Sequence, residues 1–211
     1  MTPNQITMIR IFLIPFVIFF YLADFIPWGK FIALIIFAVA CLTDFIDGKL
    51  ARKTGQVTDL GKFLDTNADK LLLIAGLLLI LADGILLAPY GVIIVIIILS
   101  REFLVSALRQ IAAGKNVILA ADKWGKYKAF LQDLAVPAFM LLAFLIDLNA
   151  SAVLIDIVFY TSWALMGIAV ILTLISGVNY FVKNWAVFKD NKKTCQAEEN
   201  GKVETNSSED V

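Results

Sequence analysis

The sequence has no histidine, and its 211 residues include only two cysteines. Histidine is the most common general base near neutral pH and the most common ligand of transition metals, so proton transfer or metal binding here must rely on other side chains. Cys41 lies in an apolar stretch and Cys195 in a polar one. Such a pair indicates neither a structural disulfide nor a thiolate metal site.

Charged residues are also few, at 17% of the chain, whereas apolar residues make up 60%. A helix needs about 20 predominantly apolar residues to cross a bilayer, and six stretches reach or approach that length. They are residues 7–23, 31–47, 68–88, 90–109, 129–147 and 152–182. The alternative is a soluble helical bundle, but so many long apolar runs leave too little polar surface for one. The sequence therefore predicts an all-α, polytopic membrane protein with six transmembrane helices.

The formal net charge is zero, so the total charge indicates no partner, and we expect no binding to nucleic acid. The distribution of charge is informative. Only one of the 18 lysines and arginines, Lys30, lies in the connections after the first, third and fifth stretches. The positive-inside rule then places both termini and the even-numbered connections on the cytoplasmic side of the cell (inner or cytoplasmic) membrane. We expect residues 1–183 to form the membrane domain and residues 184–211 a polar, disordered cytoplasmic tail.

Four aspartates lie at helical spacing on either side of a short polar segment that separates two predicted helices. Residues three or four apart share a helix face, so Asp44 and Asp47 form one pair and Asp65 and Asp69 another on the next helix. A helical hairpin could bring the four carboxylates together, at a cost on the order of several kcal/mol per uncompensated ion. Oxygen ligands favour hard cations, so we expect two divalent ions, Mg²⁺ or Mn²⁺, at the cytoplasmic side. The alternatives are a proton or ion pathway and pairing of the aspartates with nearby lysines.

The residues between the aspartates suit a nucleotide diphosphate. Gly48 and Ala51 leave one helix face bare where a ligand must come close, and Arg52 supplies a planar cation suited to phosphate. Thr58 adds a hydroxyl group, and Gly61 opens the second helix. Together these five residues predict one side of a binding site for a nucleotide diphosphate.

The same region resembles a known family. Residues 44–69 read DFIDGKLARKTGQVTDLGKFLDTNAD, which resembles the signature of the CDP-alcohol phosphotransferases: Asp, two residues, Asp-Gly, two residues, Ala-Arg, eight residues, Gly, three residues, Asp, three residues and Asp. Every fixed position matches, and the six-span layout agrees with that family over residues 1–183. The resemblance implies a homodimeric enzyme in which an acceptor hydroxyl attacks the lipid-bearing phosphorus of a CDP-linked substrate, such as CDP-diacylglycerol, and CMP leaves.

The resemblance also implies roles for the matching positions. The four aspartates would hold two metal ions, and Asp69 would in addition accept the hydroxyl proton, a role that falls to a carboxylate where histidine is absent. Gly48, Arg52 and Thr58 match positions that contact the nucleotide. The opening segment matches the one that lines the other side of the nucleotide, and it consists of Thr2, Pro3, Asn4 and Gln5.

A second group of basic residues concerns the acceptor. Arg101 lies within the fourth apolar stretch, where a charge is costly in lipid and is expected to face the bundle interior. Arg109 follows two turns later, and Lys126 and Lys128 follow on the next helix, so the four could form an anion pocket beside the metal site. The alternative is that Arg101 pairs with an aspartate and that the other three are positive-inside anchors. An anion pocket predicts a phosphorylated acceptor rather than a neutral one such as serine or inositol.

Three further segments resemble the family members whose acceptor is sn-glycerol 3-phosphate: PNQITMIRIFLIP at 3–15, SREFLVSALRQ at 100–110 and SGVNYF at 176–181. GKYKAFLQ at 125–132 does so too, with Ala129 where threonine is expected, and Thr66 replaces the usual proline after the third aspartate. This resemblance implies phosphatidylglycerophosphate and CMP as products. The alternatives are the same chemistry with another acceptor (phosphatidylglycerol, as in a cardiolipin synthase, or serine or inositol phosphate) and, in another class, a cation or proton transporter.

Overall fold

The computed structural model describes residues 3–23, 25–54, 59–114 and 123–184, and it describes side chains in residues 7–23, 25–43, 67–112 and 125–183. All regular secondary structure in these parts is helical, which confirms the predicted all-α class. The helices are α1 (Pro3–Leu22), α2 (Gly29–Thr54), α3 (Asp59–Ala82), α4 (Tyr90–Gly114), α5 (Lys123–Asp147) and α6 (Ala152–Asn184). The tail predicted from residue 184 onward lies outside the described residues, apart from the end of α6.

Three helices in the described part of the chain are long and apolar enough to cross a membrane: Tyr90–Ala112 of α4, Gly125–Asp147 of α5 and Ala152–Lys183 of α6. Two shorter apolar helices, Thr7–Leu22 and Gly29–Thr43, belong to α1 and α2. Large apolar side chains are exposed along these helices, as expected for surfaces that face lipid rather than water. The chain is therefore a multi-pass membrane protein, and the count of six spans stays a prediction.

The helices pack closely as α1 with α2 and α5 with α6, and α3 packs against both α1 and α5. The core between them is formed by apolar side chains from all six helices, among them Val17, Phe37, Leu77, Ile98, Phe139 and Met166. This arrangement places α3, whose N-terminal half carries two of the four aspartates, beside α1, α2 and α5.

Gly76 of α3 allows one of the closest approaches in this core. A Cβ atom at Gly76 would lie 2.5 Å from Cγ1 of Val136 in α5 and 2.8 Å from the ring of Phe37 in α2. In lipid, close packing at small residues is a main source of helix association. Since Gly76 follows Asp69 by about two helical turns, this contact fixes the height of the Asp69 carboxylate relative to α2 and α5.

The end of α3 differs from the prediction. The third apolar stretch was expected to continue to residue 88, but the helix ends at Ala82. Gly84 adopts a positive φ of 72°, the left-handed conformation that commonly ends helices, and its N–H donates to the carbonyl of Leu81 at 3.1 Å. The apolar residues after Gly84 therefore form a turn that leads into α4, and their hydrophobicity alone could not distinguish a turn from a helix.

One lysine joins the helix ends on the side away from the aspartates. Nζ of Lys30 in α2 lies 2.9 Å from Oδ2 of Asp83, just after α3, and 3.0 Å from Oδ2 of Asp147 at the end of α5. The hydroxyl of Tyr21 in α1 donates to Asp83 at 3.2 Å. These contacts join the ends of four helices about 20 Å from Asp69, given the rise of an α-helix.

Candidate active site

The backbone places the four aspartates on two neighbouring helices. Asp44 and Asp47 lie in α2, and Asp65 and Asp69 lie in α3, with the helical spacing that puts each pair on one face. Of these side chains only that of Asp69 lies in the part of the chain that the structure describes. The convergence of all four carboxylates therefore stays a prediction.

The predicted nucleotide contacts also fall largely outside the described side chains. Thr2 and Thr58 lie outside the described residues altogether. The remaining positions are helical in backbone, without described side chains: Pro3, Asn4 and Gln5 in α1, Gly48, Ala51 and Arg52 in α2, and Gly61 in α3. Their roles stay predictions.

Asp69 forms an ion pair with an arginine that the sequence did not lead us to expect. Nη1 of Arg10 in α1 donates to Oδ1 of Asp69, and the arginine side chain is fully buried whereas that of Asp69 is 44% exposed. A buried cation requires a charged partner, because its hydration is lost. The signal that singled out Arg101, an arginine within an apolar stretch, was equally present at Arg10.

A cavity of about 360 Å³ opens next to Asp69, and its walls bring together the predicted acceptor residues. Asp69 of α3 lies on one wall. The others are formed by Arg101 and Arg109 of α4 and by Lys126 and Lys128 of α5, the last of which is 59 positions after Asp69 in the sequence. The structure thus brings the four predicted basic residues together beside the one aspartate whose side chain it describes, and their role in binding an anion stays a prediction. The volume is within the range of small-molecule sites.

The described side chains that line the cavity carry an excess of positive charge. Among the described side chains that line it, five are basic and three are acidic, the latter being Asp69, Glu102 and Asp133. The formal charge of these described side chains is therefore +2. A low-dielectric surrounding strengthens their attraction for an anion, so the cavity suits a doubly charged phosphate better than a neutral alcohol.

Arg101 is held in place from two directions. Its Nη2 donates to Oγ of Ser176 in α6 at 2.7 Å, and its Nη1 lies 3.5 Å from Oε1 of Glu102. The side chain is 12% exposed, so it faces the bundle interior as expected for a charge within an apolar helix. Lys128, which is buried, forms an ion pair with the same Glu102 oxygen. Glu102 thus links the two basic groups and partly offsets their charge.

The three remaining basic residues of the described lining are Lys70, which is half-buried, Arg109 and Lys126. Lys126 and Arg109 are exposed, and the guanidinium of Arg109 lies 5.7 Å from the ring centroid of Tyr180. Lys70 donates to Oγ of Ser106, which in turn donates to the carbonyl of Glu102 at 2.6 Å. Arg101 and Lys128 are therefore more buried than Arg109 and Lys126.

The donor set fits a hard divalent cation. Among the described side chains, no group of three or more His, Cys, Asp or Glu residues is placed to hold a metal ion, but three of the four aspartates lie outside that set. Asp69 presents a half-exposed carboxylate to the cavity, and its three companions lie on α2 and α3, which contact each other. Carboxylate oxygens without nitrogen or sulfur ligands are the set that Mg²⁺ and Mn²⁺ prefer.

Comparison with known proteins identifies the family of the chain. The family model described as CDP-alcohol phosphatidyltransferase matches residues 1–193. A Bacillus subtilis protein named CDP-diacylglycerol–glycerol-3-phosphate 3-phosphatidyltransferase is 39% identical over 198 residues, which cover 89% of this chain and 96% of that protein. A Rickettsia bellii protein of the same name is 35% identical over 180 residues, which cover 85% of this chain and 92% of that protein. A third protein of this name, from Haemophilus influenzae, is 43% identical over 138 residues, which cover 64% of this chain and 72% of that protein. The family resemblance seen in the aspartate signature is thereby confirmed, and the chain belongs to the CDP-alcohol phosphatidyltransferase family.

Proposed function

We propose that this protein is a phosphatidylglycerophosphate synthase, which transfers the phosphatidyl group of CDP-diacylglycerol to sn-glycerol 3-phosphate. The family membership supports the donor, and the names of the relatives support both substrates. The observation that supports this acceptor is the cavity beside Asp69, whose described lining has five basic and three acidic side chains and so a formal charge of +2. A phosphate monoester carries up to two negative charges near neutral pH, so glycerol 3-phosphate matches this surplus.

In the proposed reaction a hydroxyl oxygen of glycerol 3-phosphate attacks the phosphorus that bears diacylglycerol. The bond between that phosphorus and the bridging oxygen breaks, CMP leaves with the electron pair, and Asp69 accepts the hydroxyl proton. Arg101 and Lys128 bind the phosphate of the acceptor, with the more exposed Arg109 and Lys126 nearby. Arg10 holds the Asp69 carboxylate at the cavity wall. Holding both reactants in this geometry contributes to the rate, because it removes the entropy cost of their encounter.

Two divalent cations, Mg²⁺ or Mn²⁺, complete the proposed site. Asp44, Asp47, Asp65 and Asp69 are the residues that would hold them. Such ions neutralise a diphosphate and stabilise the negative charge that develops on a leaving CMP. The nucleotide itself would contact Gly48, Ala51, Arg52, Thr58 and Gly61 on one side, with the segment from Thr2 to Gln5 on the other.

The proposed setting is the cell membrane, with six spans, both termini in the cytoplasm and the site at the cytoplasmic side. The positive-inside rule supports this orientation, because the basic residues concentrate at the end of the bundle that carries the aspartates. Glycerol 3-phosphate and CMP are water-soluble and would exchange with the cytoplasm, whereas the two lipids would exchange with the bilayer. A homodimer is proposed on the family resemblance alone.

The test is an activity assay with protein purified in detergent, CDP-diacylglycerol, Mg²⁺ or Mn²⁺ and radiolabelled glycerol 3-phosphate. The proposal predicts that label enters a lipid with the mass of phosphatidylglycerophosphate and that one CMP is released per lipid formed. Reactions without CDP-diacylglycerol serve as the control. No labelled lipid, together with turnover when phosphatidylglycerol, serine or inositol phosphate is supplied instead, would assign the protein a different acceptor. Cation flux in sealed liposomes without any CDP-lipid would instead support the transporter alternative.

A further inference from the structure

Ser176 lies fully buried in α6, and its hydroxyl accepts a hydrogen bond from Nη2 of Arg101 at 2.7 Å. Ser176 does not line the cavity described above, whereas Arg101 does. Its influence on a bound anion must therefore pass through the arginine. An arginine side chain has many rotamers, and a hydrogen bond at its tip restricts the direction in which the planar guanidinium points.

Gly177, the next residue of α6, holds the other end of the same side chain. A Cβ atom at Gly177 would lie 3.3 Å from Cγ of Arg101, which is tighter than an ordinary van der Waals contact. The aliphatic part of the arginine therefore crosses α6 at a point where only glycine leaves it full room. Gly125 of α5 packs against the hydrogen bond between Arg101 and Ser176. A Cβ atom there would lie 3.8 Å from both Nη2 of Arg101 and Oγ of Ser176.

We propose that Ser176 and Gly177 are positioning residues for the acceptor: they hold the guanidinium of Arg101 at the cavity wall, where it binds the phosphate of glycerol 3-phosphate. This inference rests on the proposed function. It assigns α6, which carries none of the four aspartates, a part in acceptor binding. The orientation matters because a guanidinium binds phosphate through two parallel N–H groups, and a rotated guanidinium offers only one.

Removing the hydroxyl of Ser176 tests the contact at the tip. Ser176→Ala is expected to raise the KM for glycerol 3-phosphate by about tenfold, the change expected when a hydrogen bond to a charged group is lost. The KM for CDP-diacylglycerol and kcat are expected to stay close to their original values. The matched control is Ser162→Ala, because Ser162 is equally buried in α6 but donates to the carbonyl of Val158 within its own helix at 2.7 Å. It should leave both constants unchanged.

Adding one methyl group at Gly177 tests the contact at the stem. Gly177→Ala is expected to raise the same KM severalfold, because the new Cβ displaces the arginine stem. Gly167→Ala is the matched control, since Gly167 lies in the same helix and a Cβ there meets no atom within 4 Å. If Gly177→Ala lowered the unfolding temperature but did not raise the KM for glycerol 3-phosphate relative to the KM for CDP-diacylglycerol, Gly177 would have a structural role only, which would contradict its assignment as a positioning residue.

The decisive measurement is a double-mutant cycle. Arg101→Ala alone should mainly raise the KM for glycerol 3-phosphate, and adding Ser176→Ala to it should change nothing further, because the residue through which Ser176 acts is gone. Additive effects of the two substitutions, or an unchanged acceptor KM in Ser176→Ala, would overturn this inference while leaving the proposed function intact. Absence of turnover by the unaltered protein with glycerol 3-phosphate would overturn the proposed function and this inference with it.

Discussion

Arg10 of α1 and Asp69 of α3 form an ion pair in which the arginine is fully buried and the carboxylate remains half exposed at the wall of the cavity. One partner thus belongs to the packing between helices and the other to the site. The pair connects the first helix of the chain to the residue proposed as the base. The pair can contribute to the stability of the helix bundle and to the orientation of Asp69, and a substitution of Arg10 distinguishes these two roles.

We expect Arg10→Met to lower kcat by about tenfold or more, because a misplaced catalytic group loses much of the advantage of proximity. Stability should change little, since an apolar side chain of similar size often replaces a buried ion without loss, and the remaining carboxylate is exposed enough to be hydrated. Steady-state kinetics and thermal unfolding in detergent measure the two effects. Arg10→Lys retains the charge and should preserve part of the rate. Full activity in Arg10→Met would show that the pair does not orient Asp69.

Asp69→Asn is expected to abolish turnover while part of the binding of CDP-diacylglycerol remains, because the amide cannot accept the hydroxyl proton. The matched control is Asp133→Asn, which alters another carboxylate that lines the same cavity but is not proposed to act on the substrate. Turnover and equilibrium binding of the CDP-lipid are measured on both variants. Near-normal turnover in Asp69→Asn would remove Asp69 as the base.

Removal of divalent cations is expected to stop the reaction, and added Mg²⁺ or Mn²⁺ should restore it, because the charge on the leaving CMP then lacks its stabilising partner. Asp44→Asn should raise the metal concentration needed for half-maximal activity. Direct titration of Mn²⁺ by electron paramagnetic resonance provides a readout of binding that does not depend on turnover. Full activity in a thoroughly chelated preparation would contradict the metal proposal.

Lys30→Met is expected to lower stability by about 1 kcal/mol, since it removes two partly exposed ion pairs that join the helix ends. The kinetic constants should stay the same, because this network lies about 20 Å from Asp69 along α3. Thermal unfolding and kinetics on the same preparation measure both. Lys183→Met, at an exposed position near the end of α6, is the control and should affect neither. A large fall in activity with unchanged stability would indicate that the outer end of the bundle takes part in catalysis.

The sequence predicted what depends on local spacing. Apolar runs indicated the helices, and intervals of three and four residues placed the aspartates in pairs on α2 and α3. The cost of a charge in lipid indicated that Arg101 faces inward, and the structure places it in a cavity with the other three predicted basic residues.

The contacts that the sequence did not predict join residues far apart in the chain. Arg10 and Asp69 are 59 positions apart, and Arg101 and Ser176 are 75 apart. Partners at such distances depend on which helices pack together and at what height, and the sequence pattern of a single helix carries no information on either. The end of α3 was missed for a different reason, because a single glycine at positive φ outweighed the apolar residues that follow it.

The central claim is that the basic cavity beside Asp69 selects glycerol 3-phosphate as the acceptor. The most direct measurement is a competition in which the purified protein receives CDP-diacylglycerol, Mg²⁺ and equal concentrations of glycerol 3-phosphate, phosphatidylglycerol, serine and inositol phosphate. Mass spectrometry then identifies the lipid products. We predict phosphatidylglycerophosphate as the dominant product, and Arg101→Ala should reduce its share. Cardiolipin, phosphatidylserine or a phosphoinositide as the dominant product would contradict the claim.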